Sequence, residues 1–294
     1  MAHTRIGVDV GGTFTDVALL VDGDVVTTKV PTTDDQSAGV MLGIEQACDL
    51  AAVDPDRIDE FVHAMTVSVN ALLERDGART ALVTTAGFRD VLEIGRQDRP
   101  DLYDLDATKP EPLVPRRRRF EIDERATAAG VERPVDEDEV RAVAAEIADC
   151  GAESVAVSLL HAYAHPENER RAAAVLREEL DVPVSVSHEV LAEFREYERT
   201  ATTAAEAYVT PAIEGYVGRL VDRATDAGLP APRIMGANGG TAAAETVRDH
   251  AVTTVMSGPA AGVVGAAATV ADDRGIVTFD MGGTSSDVSL VRDG

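Results

Sequence analysis

The sequence predicts a layered α/β protein, and three observations carry that expectation. Strand-like runs alternate with amphipathic stretches of helical spacing along most of the chain. A glycine-rich hairpin pattern near the start, DVGGTFTDVALLVDG at 9–23, returns as DMGGTSSDVSLVRDG at 280–294. A length of 294 residues with 45% hydrophobic content suffices for one large core or two smaller ones. The repeat makes two similar lobes, facing each other across one ligand, the expected arrangement.

In each copy an apolar strand, Arg5–Val10 or Ile276–Met281, delivers an aspartate to a turn with two glycines. Glycines without Cβ atoms let backbone N–H groups approach an anion and permit left-handed dihedrals. Hydroxyls follow, and the chain returns as Val17–Val21 or Val288–Val291. The expected phosphate cradle is Gly11, Gly12, Thr13 and Thr15 in one copy and Gly282, Gly283, Thr284 and Ser285 in the other. A carboxylate beside phosphate oxygens is repelled unless a divalent cation lies between them. Asp9 and Asp280 are therefore the candidate catalytic and metal-side groups, with Mg²⁺ the cation whose oxygen preference fits. One such turn alone is also compatible with a plain hairpin; the second copy argues for chemistry.

Between the copies, 25–30 reads as a third strand, 37–50 as a helix through Val40, Ile44 and Ala47, 61–65 as a strand, 69–74 as a short helix and 80–85 as a strand. The proline-rich, charged stretch 100–119 reads as a surface excursion. Alternation resumes with a helix at 136–148, a strand at 154–160, a helix at 166–180 and a strand at 182–186. From about residue 190 the texture changes to long helices, so the expected domains are 1–190 and 191–294. Thr210-Pro211 reads as the cap and first turn of a new helix, after one spanning 193–209. The small-residue segment SGPAAGVVGAAATV at 257–270 reads as a helix capped by Ser257, whose glycine face admits another backbone closely, as a hinge helix or a core helix would.

A net charge of −25 excludes nucleic acid and anionic membranes as partners, because both need cations to neutralise phosphate. Lys29 and Lys109 are the two lysines, and the excess of carboxylates fits a surface hydrated in a high-salt cytoplasm. The N-terminus runs into a strand without a leader-like pattern, which points to a cytoplasmic protein. Cys48 and Cys150 read as small buried apolar residues.

The order of phosphate hairpin, small-residue helix and second phosphate hairpin resembles the actin-like ATPase superfamily, with its ribonuclease H-like two-lobed fold. Within it the chain is similar to the hydantoinase A and 5-oxoprolinase family, relatives of acetone and acetophenone carboxylases. RIGVDVGGTFTDVAL, GFRDVLEIGRQDRP, EFREYERTATTAAEAYVTP, SGPAAG and FDMGGTSSDVSL carry the likeness, the second being the most family-specific. The resemblance implies ATP and Mg²⁺ as cofactors, and a hydrolase subunit that phosphorylates the carbonyl of a cyclic amide, such as a hydantoin or 5-oxoproline, for ring opening. It also implies a B-type partner subunit. Because such chains continue well past the second hairpin, the second lobe is expected to be incomplete and completed by another chain. A weak, non-catalytic polyphosphate-binding module is the alternative.

Substrate residues are less defined. Arg96 and Arg99 could hold a carboxylate or phosphate through paired hydrogen bonds, or serve as ion-pair partners. His63 and Asn70 lie where strand gives way to helix, a placement suited to a pocket wall and equally to a structural histidine. Glu196, Tyr197 and Arg199 carry the same two readings, with i,i+3 pairing on one helix face as the plain one. His161 and His165 lack an intervening carboxylate and do not read as a metal site, and 116–119 reads as neutralising neighbouring acids. His63-Ala64-Met65-Thr66 departs from the HGTT usual in relatives, which puts substrate specificity in doubt.

Overall fold

The computed structural model describes residues 3–104, 106–270, 275–282 and 286–292. Along the chain it forms β1 (Arg5–Val10), β2 (Phe14–Val21), β3 (Asp24–Pro31), α1 (Gln36–Ala51), β4 (Glu60–Met65), α2 (Val67–Leu73), β5 (Thr80–Thr85) and α3 (Val91–Ile94). There follow β6 (Arg119–Ile122), β7 (Arg125–Thr127), β8 (Gly130–Arg133), α4 (Glu137–Asp149), β9 (Ser154–Ser158), α5 (Glu167–Glu179), β10 (Val184–Val186) and α6 (Ser187–Val190). The remainder is α7 (Glu196–Asp226), β11 (Arg233–Met235), β12 (Thr241–Ala243), α8 (Ala244–Asp249), α9 (Ser257–Thr269), β13 (Ile276–Met281) and β14 (Ser286–Val291).

Packing gathers these into two units, one from Met1–Glu74 with Ala212–Gly294 and one from Arg75–Pro211. They do not coincide with the 1–190 and 191–294 division drawn along the sequence. The physical reason is a strand pairing: β11 lies parallel to β4, with Arg233 opposite Val62 and Ile234 opposite His63.

The first unit holds a six-stranded mixed sheet in the order β12-β11-β4-β1-β2-β3. Period-two patterning puts Ile6, Val8, Val10, Val17 and Leu19 on one face of β1 and β2, each at most 3% exposed. The helix α1 covers that face, so closely that a β-carbon at Gly43 would lie 2.7 Å from Val17 Cγ2. Asp35, at the start of α1, accepts from Arg223 of α7 at 2.7 Å. In the same unit β13 and β14 form a separate antiparallel hairpin.

The second unit is built on an all-parallel sheet, β10-β9-β5-β6. Every residue of β5 and β9 is buried, as expected of central parallel strands covered on both faces. Val140, Ala144 and Ile147 of α4 and Ala172 and Leu176 of α5 pack on one face with Val83 and Val157. Ala204 and Ala207 of α7 pack on the other with Leu82, Ala156 and Leu92.

Three local expectations are corrected. The helix α7 runs unbroken through Pro211 instead of restarting there. The Thr210 hydroxyl donates to the Glu206 carbonyl at 2.8 Å, and buried Ala207, Tyr208, Ile213 and Val217 on either side hold the helix together. Ser257 is inside α9 and not its cap; its hydroxyl donates to the Met65 carbonyl at 2.9 Å, pinning the helix to β4. The charged segment after the excursion contains strands β6, β7 and β8, which the sequence reading passed over.

Candidate functional site

The tip of the first hairpin is closed by backbone bonds. Gly11 N–H donates to the Phe14 carbonyl at 2.9 Å, and Thr32 beyond β3 grips the loop by donating its N–H to the Thr13 carbonyl at 3.0 Å and its hydroxyl to the Gly11 carbonyl at 2.8 Å. Gly11 is not left-handed; glycine is needed there because a β-carbon would lie 3.1 Å from the Phe14 carbonyl oxygen. Gly12 and Thr13 are exposed, as a phosphate cradle requires. Thr15 is fully buried, with its hydroxyl 3.4 Å from that of Thr32, so it supports the loop and does not line it.

The two hairpins share one register. Asp9 faces Asp16 across the β1–β2 ladder, and Asp280 faces Asp287 across β13–β14. Lys29, opposite Asp16 on β3, donates to both Asp16 carboxylate oxygens at 2.6 Å. Asp16 is thus held in an ion pair with Lys29. Asp9 is solvent-exposed yet enclosed enough for desolvation to raise its pKa above the usual carboxylate range, the pattern of an open concavity and not of a closed core. Asp16 and then Asp280 push in the same direction, with Lys29 opposing. Asp9 and Asp280 are therefore electrostatic neighbours.

The small-residue helix α9 passes both carboxylates. A β-carbon built on Gly258 would lie 3.4 Å from Asp9 Oδ1, and one on Gly262 would lie 3.6 Å from Asp280 Oδ2. Positions i and i+4 share one face, so the glycine face of α9 admits two aspartates where another backbone was expected. Gly282 is exposed beside Asp280, whereas Gly283, Thr284 and Ser285 lie outside the described residues. Among the described residues no group of three His, Cys, Asp or Glu side chains could hold a metal. A hard cation here would take one or two carboxylates and complete its shell with water and phosphate oxygens, a mode that suits Mg²⁺. Asp9 and Asp280, with Asp16 neutralised by Lys29, are a carboxylate pair such an ion fits.

The proposed substrate residues do not come together. His63 is fully buried on the central strand β4 and shares a 2.7 Å hydrogen bond with Tyr216; burial lowers its pKa to about 4. It is a core residue and not a pocket wall, because β4 is flanked by strands on both sides. Asn70 is half-buried on α2, 3.4 Å from the Thr66 hydroxyl. In the second unit Arg96 pairs with Glu198 at 2.7 Å and lines a cavity of about 450 Å³ with Tyr197, Lys109, Leu92 and Ala201. Arg99 is exposed. Glu196 and Arg199 form the close i,i+3 ion pair of the plain reading, and Arg116 and Arg119 neutralise Asp90 and Glu93.

Lys29, Thr32 and Lys109 are not among the candidates the sequence offers, whereas Tyr197, one of them, does line the cavity. The first two could have been found by laying β3 beside β2 in hairpin register. Lys109 comes from a loop far in sequence from α7 and leaves no local signal.

Fold and site together define an α/β protein whose two glycine-rich hairpins carry aspartates to one face of a small-residue helix. The chain belongs to the hydantoinase/oxoprolinase family: the model of that family's N-terminal region matches residues 5–180, and the hydantoinase/oxoprolinase model matches residues 199–294. It is 37% identical to caprolactamase subunit alpha of Pseudomonas jessenii over 305 residues, covering 99% of this chain and 44% of that protein. It is 35% identical to the acetophenone carboxylase gamma subunit of Aromatoleum aromaticum over 312 residues, covering 99% and 42%. The nucleotide-free structure of acetone carboxylase, a protein of ATP-dependent acetone carboxylation, superposes with a TM-score of 0.89 at 28% identity, over 99% of this chain and 44% of that one. The crystal structure of the ATP-dependent Pseudomonas jessenii caprolactamase gives 0.84 at 34% identity, over 97% and 43%. The chain thus spans less than half the length of the curated relatives it matches. Among the described residues no helix is long and apolar enough to cross a membrane.

Proposed function

We propose that this chain is the nucleotide-binding part of an ATP-dependent enzyme that opens a cyclic amide of hydantoin, 5-oxoproline or lactam type by phosphorylating its carbonyl oxygen. The observation that carries the reading is the meeting of two hairpins in one register, each bringing an aspartate to the same glycine face of α9. The strand order β3-β2-β1-β4, with β2 antiparallel to both neighbours, supports an actin-like, ribonuclease H-like fold. The caprolactamase and carboxylase relatives both favour ATP use; the 37% identity to the caprolactamase, with the family itself, favours a cyclic amide.

An amide carbonyl resists water because nitrogen donates into it. Transfer of the terminal phosphoryl group to the carbonyl oxygen makes the carbon electrophilic. Water then adds at carbon, and the ring nitrogen leaves with a proton to open the ring as an acyl phosphate. A second water attacks that carbon and releases phosphate, which carries off the original carbonyl oxygen. The exposed amides at Gly12 and Thr13, with Gly282 on the other hairpin, hold phosphate oxygens, and Asp9 and Asp280 hold the metal side. Mg²⁺ bound with the nucleotide supplies the charge that lets carboxylate and phosphate oxygens share one site. Lys29 keeps Asp16 from competing for that ion. A B-type subunit and polypeptide corresponding to the relatives' further length complete the enzyme in this reading.

Calorimetry tests the site. Asp9→Asn and Asp280→Asn should each abolish Mg²⁺-dependent ATP binding, and the double variant should lose little more, because groups serving one ion act as a unit. Additive losses would mean two unrelated anion sites. The assembly purified from its own cells tests the chemistry. Given hydantoin, 5-oxoproline or caprolactam labelled with ¹⁸O at the carbonyl that opens, it should pass the label into released phosphate, and phosphate free of label would refute this route.

A further inference from the structure

The cavity of about 450 Å³ in the second unit is walled by α7 and by the crossover that links β5 to β6. The crossover is held there in an unfavourable backbone conformation. Gly95 and the non-glycine Gln97 both have positive φ, 58° and 60°, with Arg96 between them. Strain of this kind persists only where the surrounding structure fixes it, and it clusters at ligand clamps. Lys109, one of the two lysines in the chain, reaches the same spot, whereas the other, Lys29, stands at the first phosphate hairpin. A β-carbon on Gly95 would lie 3.6 Å from Lys109 Nζ and 3.7 Å from the Tyr197 ring, and the Arg96 guanidinium sits 5.9 Å from the centre of that ring.

The protein leaves part of this charge unused. Arg96 gives its Nε to Glu198 at 2.7 Å, and its terminal nitrogens have no partner among the described residues. Lys109 donates to the Ile94 carbonyl at 2.8 Å and lies 3.5 Å from Asp98, which leaves the ammonium a third donor. Glu93 is taken by Arg119 at 3.0 Å, but Glu111 has no ion pair among the described residues. Leu92, Ala201 and Ala204 supply an apolar wall. A plain anion entering the cavity meets Glu93, Asp98 and Glu111 in a chain of net charge −25, and a plain cation meets Arg96 and Lys109. A molecule with both charges on one aliphatic body meets neither penalty: Arg96 and Lys109 receive its carboxylate, Glu111 and Asp98 its ammonium, and the wall its methylenes. Opening a lactam makes such a molecule, because hydrolysis leaves a carboxylate at one end of the former ring and an amine at the other.

We propose that this cavity binds the opened ring, an ω-amino acid, and makes the second unit a product-binding site; the choice of ligand rests on the cyclic-amide reading above. Calorimetry on the full chain without nucleotide tests it with 6-aminohexanoate, hexanoate, hexylamine and caprolactam. The amino acid should bind, and each of the other three should bind at least about tenfold more weakly. Hydrogen exchange of the unaltered chain with 6-aminohexanoate should slow at 91–113 and 196–204 and stay unchanged at 5–21. Arg96→Gln and Lys109→Gln should each weaken binding at least about tenfold. Arg141→Gln, which removes the same charge from α4, should leave it unchanged. No binding of the amino acid, equal binding of hexanoate, or protection confined to other segments would overturn the proposal. Caprolactam bound as tightly as its opened form would make the cavity a substrate pocket and overturn it as well. The exchange measurement uses no variant, so the outcome does not depend on a substitution that misfolds. No sample contains nucleotide, so failure here is distinct from failure of the ATP reading, which the Asp9 and Asp280 variants test.

Discussion

Asp16 lies directly across the ladder from Asp9, and like charges at such positions repel. Lys29 bonds both oxygens of Asp16, which leaves Asp9 with the repulsion of Asp16 and Asp280 and with only distant relief. The expected result is a stability cost held at the site. Asp9→Asn should stabilise the chain by a few tenths to about 1 kcal/mol after solvent screening while eliminating Mg²⁺-dependent binding. Urea unfolding with paired calorimetry checks this, and a destabilised variant would mean that the carboxylate supports the hairpin. His63 contributes in the other direction. Its pKa is lowered from 6.5 to about 4 by burial, so below pH 6.5 the unfolded chain takes a proton that the folded chain refuses. The contribution is fully present above pH 6.5 and is lost as the pH falls toward 4, by up to about 3 kcal/mol. His63→Gln should flatten that part of the stability curve in urea titrations at pH 7 and pH 4.5. Equal slopes for the two proteins would assign the acid loss to carboxylates.

The helix α9 contributes its surface, or the lack of one. At Gly262 a β-carbon would make ordinary contact with Asp280, so Gly262→Ala should be tolerated and gain about 1 kcal/mol of helix propensity. Gly258→Val, by contrast, places methyl groups against Asp9 and should weaken Mg²⁺-dependent ATP binding at least tenfold with α9 still formed, as circular dichroism and calorimetry would show. Retained affinity would mean that α9 does not border the site. At the α1 crossing, Gly43→Ala must displace either Val17 or the helix and should cost roughly 1–3 kcal/mol in urea titrations. A neutral result would show that α1 floats on the sheet. Much of this was legible: β1 through β4 and α1 follow from period-two and helical spacing, and the aspartate pair follows from the repeat. What escaped has physical causes. The strands β6 to β8 are rich in Arg and Glu, so their alternation is not apolar, and Pro211 reads as a stop because local rules ignore packing on both sides of α7. Lys29 and Thr32 act only through the register of β3. The glycine face of α9 was legible as a close-approach surface, but what approaches it depends on a hairpin folded elsewhere.

For the whole chain, 52 acidic side chains against 27 basic ones leave repulsion as the dominant long-range term. Salt also screens exposed ion pairs such as Arg116–Asp90 and Arg141–Asp138, but such pairs contribute little each. Raising KCl from 0.1 to 1 M shortens the screening length from about 10 to about 3 Å, so the melting temperature should rise across that range. Maximal stability at low salt would refute a high-salt setting. The return of β11 to β4 has a consequence of another kind. Residues 75–211 form a contiguous unit that can fold as soon as it leaves the ribosome, whereas residues 62 and 63 gain their parallel neighbour only when 233 and 234 emerge. At about 5–20 residues per second the growing chain carries a half-built sheet for roughly 10–30 s. Through that interval β4 presents an unpaired edge beside β1, and synthesis of the chain, more than its finished stability, is where chaperone protection has the most to prevent.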